Sequence, residues 1–140
     1  MLVGPVGTGK TSVAENTLSK LDPKSYSVLS VNMSAQTSSN NVQDIIESRV
    51  EKRTKGVYVP IGGKKLLTFM DDFNMPAKDT FGSQPPLELI KLWLDYGFWY
   101  DRMKQTQKYI KVRFMFLIYK STSQKWLFHT HLTATVFTGE

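Results

Sequence analysis

The chain has 140 residues, 41% hydrophobic and 21% charged, which suits one globular domain with one core and excludes a disordered composition. It has no cysteine, so a disulfide framework and a thiolate metal centre are ruled out, and its longest apolar run, residues 114–119, falls far short of the roughly 20 that a membrane-spanning helix requires. The net charge is +6, of which residues 1–111 carry +4 (fifteen basic, eleven acidic); the lysines are scattered, with no basic stripe interleaved with aromatics, so neither nucleic acid nor membrane is expected as a partner.

The chain opens on an apolar stretch, Met1-Leu2-Val3, that reads as the end of a strand. Gly4-Pro5-Val6-Gly7-Thr8-Gly9-Lys10-Thr11 follows and matches G-x-x-x-x-G-K-[ST] in full. The chemistry of that pattern is a phosphate cradle. Glycines let backbone N–H groups close on a polyphosphate, Lys10 reaches the β/γ-phosphates, and Thr11 sets its hydroxyl on Mg²⁺. Residues 12–21, from Ser12, place Ala14, Leu18 and Leu21 on one helical face, and such a helix directs its positive end at the same anion. The residues expected to hold ATP are therefore the eight of the loop together with Ser12. Nothing ahead of the loop reads as a secretory signal.

Residues 26–33 roughly alternate and predict a strand. A polar turn leads to a helix with Val42, Ile45, Ile46 and Val50 on one face, capped by Asn40 or Asn41 and stopped by Gly56. The basic cluster at residues 49–55 is expected at that helix's solvated C-terminus, where cations complement the dipole. Strands at 57–60 and 66–70 around Ile61-Gly62-Gly63-Lys64-Lys65 predict a hairpin. Pro85-Pro86 opens a helix with Leu87, Ile90, Trp93 and Leu94 inward, ending at Gly97. A second hairpin is expected to turn at Lys104-Gln105-Thr106.

The run Leu66-Leu67-Thr68-Phe69-Met70 ends in Asp71-Asp72, the Walker-B arrangement in which a buried strand delivers a carboxylate to Mg²⁺. Thr11 and Asp71 are the metal-side candidates. Asp72 is the catalytic candidate, standing where many such ATPases carry a water-polarising Glu. Its side chain is about one methylene shorter, so nucleotide binding is expected more securely than hydrolysis. Tyr96, Phe98, Trp99 and Tyr100 read as core aromatics rather than a base-stacking platform. His129 and His131 lack a third metal ligand nearby. The residues alone leave open a free-standing small P-loop kinase or NTPase.

These motifs, read with the words between them, resemble the third AAA+ module of dynein heavy chains, the axonemal branch above all. Besides residues 4–11, the resemblance is carried by Asn32-Met33-Ser34-Ala35-Gln36-Thr37-Ser38 and Ile45-Ile46-Glu47-Ser48-Arg49-Val50-Glu51-Lys52-Arg53. Further on it is carried by Phe69-Met70-Asp71-Asp72-Phe73-Asn74-Met75-Pro76, Gly82-Ser83-Gln84-Pro85-Pro86-Leu87-Glu88-Leu89-Ile90 and Trp99-Tyr100-Asp101-Arg102. It implies an α/β P-loop NTPase (AAA+) three-layer core with a parallel sheet and hairpin insertions, incomplete at both ends as a fragment. Residues 1–111 are expected to form the partial AAA+ domain, and 112–140 a divergent tail of one further strand followed by irregular chain. The resemblance further implies an ATP–Mg²⁺ module that regulates a microtubule motor without being its principal engine. Implied partners are other AAA+ modules of the same heavy chain and dynein intermediate and light chains, with microtubules reached only indirectly. The implied setting is cytoplasm, cytoskeleton and cilium axoneme.

Overall fold

In the computed structural model, residues 2–5, 7–111 and 114–121 are described. Four strands form a wholly parallel sheet: β1 (Leu2–Pro5), β2 (Tyr26–Asn32), β5 (Lys65–Asp71) and β8 (Phe114–Ser121), in the spatial order β1-β8-β5-β2. Helix α1 (Lys10–Ser19) covers one face, where Ala14 and Leu18 meet Phe69 and Ile118. Helices α2 (Ser39–Glu47) and α3 (Pro85–Tyr96) cover the other, where Val42, Ile46, Ile90 and Trp93 pack on Leu29, Val31, Leu66 and Met70. The result is the three-layer α/β core, in which β8 is a strand lying beyond residue 111.

The predicted hairpin between 57–60 and 66–70 does not form. From Leu66 to Met70 every residue is buried, so this run takes the centre of the parallel sheet, covered on both faces, and cannot alternate as a half-exposed hairpin strand does. A short 3₁₀ turn at Ile61–Gly63 separates it from β4 (Val57–Pro60). The latter joins a second sheet, ordered β3-β4-β7-β6, with β3 (Val50–Thr54), β6 (Phe98–Tyr100) and β7 (Gln107–Ile110). The basic cluster is accordingly not a helix end. Helix α2 stops at Glu47, and the consecutive charges Glu51-Lys52-Arg53 fall in β3, four of whose five residues are exposed. Gly56, at φ 76°, turns β3 into β4 instead of ending a helix. The cap of α2 also moves: Ser38 Oγ accepts from the Asn41 backbone N–H at 3.2 Å, in place of Asn40 or Asn41. Helix α3 ends at Gly97 (φ 75°), and β6 pairs antiparallel with β7 across the expected turn.

A polar clamp ties the second sheet to α2. Glu47 Oε1 accepts from Trp99 Nε1 at 3.0 Å and from Gln43 Nε2 at 2.9 Å, while Lys108 Nζ bridges Glu47 Oε2 at 3.0 Å and Asp101 Oδ2 at 2.8 Å. The Lys108 hydrogen bond, with backbone N–H groups of Lys104 and Met103, holds the Asp101 carboxyl well below the usual range. Burial pushes the Lys108 ammonium down, but its hydrogen bonds to Asp101 and Glu47 outweigh that and hold it above the usual lysine value. The Asp101 contribution to stability is thus present above the ordinary carboxylate range and fades as pH falls through its lowered folded value. That of Lys108 is present below the ordinary lysine range and fades as pH rises through its raised one.

Thr68 is fully buried in β5, and among the described residues its Oγ1 is the one buried side-chain polar atom with no hydrogen-bond partner. An unsatisfied buried hydroxyl costs about 1–3 kcal/mol, so Thr68→Val should stabilise the chain by ~1 kcal/mol. A raised urea midpoint with unchanged m-value is the expected result.

Candidate nucleotide site

The C-terminal ends of the parallel strands converge on a cleft of about 430 Å³ lined by Gly7, Thr8, Gly9, Lys10, Thr11, Ser12, Asp71, Asp72 and Ile118. This is the end of an open α/β sheet at which ligands bind. Gly7 (φ 81°) and Gly9 (φ 74°) occupy the left-handed region that a side chain disfavours, with open space around both. Their role is conformational. Gly4 differs, since its φ is not positive and a Cβ there would meet Lys10 Cδ and Thr8 Oγ1 at an ordinary 3.6 Å. Gly9 is also the N-cap of α1 and brings no side chain to it, leaving the helix's first N–H groups to the cleft. Pro5 ends β1, and Val6 lies outside the described residues.

Lys10 Nζ is gathered over the loop by Gly4 O at 2.9 Å, Pro5 O at 2.5 Å and Thr8 Oγ1 at 3.0 Å. Thr8, which sequence reasoning counted only as a loop position, also donates to Pro5 O at 2.9 Å and so braces the loop that carries the ammonium.

Sixty residues later in sequence, Asp71 meets the loop: Thr11 Oγ1 donates to Asp71 Oδ2 at 2.8 Å. The other carboxylate oxygen accepts the Asp72 backbone N–H at 2.8 Å. Asp71 is therefore held at both oxygens, beside the hydroxyl expected on Mg²⁺. Asp72 takes φ 50°, a left-handed conformation that Asp tolerates better than most residues, and lines the same cleft. Just beyond, Phe73 is buried and its N–H donates to Ile118 O at 3.0 Å, which locks the turn to β8. Gln84 Nε2 donates to Asn74 O at 3.1 Å and Pro76 O at 2.6 Å and fastens that turn to the start of α3.

The donor set fits a magnesium nucleotide. Uncapped helix N–H groups and one ammonium suit phosphate oxygens; one hydroxyl and one carboxylate suit a hard cation that keeps several waters. Among the described residues no group of three or more His, Cys, Asp or Glu could cage a metal. His129 and His131 lie outside the described residues. The aromatics stand apart from the cleft: Trp99 is fully buried against Trp93, while Tyr96 and Tyr100 are exposed around Phe98.

The profile of a family described as the P-loop containing dynein motor region matches residues 1–125, through β8. The chain belongs to that family. It is 75% identical over 115 residues to the human protein "Dynein axonemal heavy chain 2", a stretch covering 82% of this chain and 3% of that one. It is 56% identical over 111 residues (79% of this chain, 2% of the other) to the Chlamydomonas reinhardtii "Dynein-1-beta heavy chain, flagellar inner arm I1 complex". With human "Dynein axonemal heavy chain 3" it shares 46% identity over 107 residues, 76% of this chain and 3% of the relative. This dynein P-loop region thus spans only a few per cent of the length of the heavy chains it matches. The family implies nucleotide binding at the loop.

Proposed function

We propose that this dynein P-loop region is an ATP–Mg²⁺-binding module of an axonemal heavy chain, the third AAA+ module, and that it regulates the motor without being its principal ATPase. The observation that carries the binding reading is the 2.8 Å contact of Thr11 with Asp71, which joins the phosphate loop and the carboxylate-bearing strand in one cleft. Gly4, Pro5, Val6, Gly7, Thr8, Gly9, Lys10, Thr11 and Ser12 hold the phosphates; Thr11 and Asp71 serve the metal. When bound, Mg²⁺ neutralises phosphate charge, and the chain's own part is to orient the phosphates and exclude alternatives.

Two features support a regulatory role: the resemblance of the sequence words to the third module, and Asp72, whose shorter reach suits slow turnover better than fast. The names of the relatives, axonemal and flagellar, support a place in the cilium axoneme, within cytoplasm and cytoskeleton. On this reading the module works beside other AAA+ modules of its heavy chain and dynein intermediate and light chains. Microtubules are reached only through them, and neither nucleic acid nor membrane is a partner. Beyond residue 111, Phe114–Ser121 adds β8 to the core, and the sequence to residue 140 is read as a divergent tail.

The test is magnesium dependence. Asp71→Asn keeps the shape and loses the charge, so the gain in ATP affinity on adding Mg²⁺ should shrink about tenfold, the scale of one charge-assisted contact. Asp95→Asn removes the same charge from the exposed side of α3 and should leave titrations within about twofold. An Asp71 variant with undiminished magnesium dependence would sink the assignment.

A further inference from the structure

We propose that the solvent face of the second sheet is a docking surface for an acidic polypeptide segment with apolar side chains, separate from the nucleotide cleft. The inner face of this sheet is core: Val50, Trp99 and Ile110 are buried and Tyr58 packs against them. In β6 and β7 the residues in alternation with these, Phe98, Tyr100 and Tyr109, lie on the opposite face and are aromatic too. Phe98 is ringed by Tyr109 at 5.3 Å, Tyr100 at 5.6 Å and Tyr96 at 6.1 Å between centroids. Tyr96 is 67% exposed, Tyr100 50% and Tyr109 42%, a contiguous apolar surface of the kind that marks an interaction site.

Charge complementarity selects the occupant. The segments that build the sheet, residues 49–60 and 98–111, contain eight basic and two acidic residues, a net +6 equal to that of the whole chain, so the remainder sums to zero. Asp101 is turned to Lys108, which also bridges Glu47, and Arg102 is paired with Asp44, so six of the eight cations and the single acid Glu51 stand outside these ion pairs. Exposed cations lie at both ends of the aromatic stripe. Lys55 precedes Gly56, whose carbonyl accepts from the Tyr109 N–H at 2.8 Å, and Lys104 sits in the turn between β6 and β7. An acidic segment gains from both ends while its apolar side chains cover the rings.

Ring geometry favours polypeptide over single-stranded nucleic acid. Phe98 meets Tyr100 edge-on at 90° and Tyr109 at 51°, so the rings pack on one another and do not lie as parallel platforms for successive bases.

The full chain would be titrated with a fluorescein-labelled synthetic peptide of alternating glutamate with leucine and phenylalanine, followed by fluorescence anisotropy. Saturable binding is expected, weakened about tenfold by Tyr100→Ser or Tyr96→Ser, whose exposed rings contribute little to the core. Lys55→Glu should weaken it about fivefold and flatten its salt dependence. Lys20→Glu, at the C-terminal end of α1, should change nothing. Near-UV circular dichroism checks the fold of each variant, and the two tyrosines and the lysine test the surface independently. No saturable binding, equal weakening by Lys20→Glu, or a single-stranded oligouridine that binds more tightly than the peptide would each overturn the proposal.

Discussion

Lys10→Ala should weaken ATP–Mg²⁺ binding by about ten- to a hundredfold, while Lys52→Ala, on the exposed strand β3, should leave it within about twofold. The difference follows from position. The Lys10 ammonium is already held over the loop by Gly4 O, Pro5 O and Thr8 Oγ1, so little reorganisation is required for it to meet a phosphate. Its loss removes a charge-assisted contact of about 1.5–3 kcal/mol at a helix N-terminus, where no other side chain caps the first turn. Lys52 contributes only to the long-range potential, which salt screens within about 10 Å. Isothermal titration in 0.15 M salt measures both. Equal losses for the two variants would mean that charge in general, and not the loop, sets affinity.

Trp99→Ala should destabilise the chain by about 3–5 kcal/mol, a large share of the 5–15 kcal/mol typical of a domain. Trp99 is fully buried, its ring lies 5.1 Å from that of Trp93, and its Nε1 donates to Glu47 Oε1. The substitution therefore opens a cavity and strips one donor from the clamp at once. Trp99→Phe keeps most of the packing and loses only the donor, so about 1–2 kcal/mol is expected. Urea unfolding followed by far-UV circular dichroism separates the two. Saturating ATP–Mg²⁺, at about a hundred times Kd, should return roughly 2.7 kcal/mol to either variant if sheet and cleft unfold as one unit. A Trp99→Ala loss under about 1 kcal/mol would show the second sheet to be a detachable appendage.

Features set by local backbone chemistry were legible in the sequence. The turn of the phosphate loop demands glycine at two positive-φ positions, and Gly7 and Gly9 announce it. Helix α3 carries its own punctuation in Pro85-Pro86 and Gly97. Asp71 and Asp72 close an apolar run that is long enough to be buried on both faces. Partners chosen across long sequence separations were not legible. Strand β4 pairs with β7, Val57 opposite Tyr109, and nothing in a window around residue 57 points there. The hairpin expected at 61–65 failed because local pattern cannot tell a strand's neighbour in sequence from its neighbour in the sheet. In β3 the charges concealed a strand, since Glu51, Lys52 and Arg53 sit equally well on a helix end. The brace from Thr8 to Pro5 escaped because a one-residue signal has no periodicity to reveal it.

The order of strands in the parallel sheet has a consequence for how the molecule is made. Among the described strands β1 pairs only with β8, Leu2 opposite Ile118 and Pro5 opposite Ser121, so β1 waits for a strand more than a hundred residues later. Until residues 114–121 have left the ribosome, the strand carrying the phosphate loop lacks its partner among the described strands and one side of β5 stands open. At about 5–20 residues per second, that interval is roughly five to twenty seconds of exposed strand edges. The nucleotide cleft thus assembles only once β8 has emerged, and a ribosome stalled just short of residue 114 carries the complete phosphate-loop motif without a working cradle.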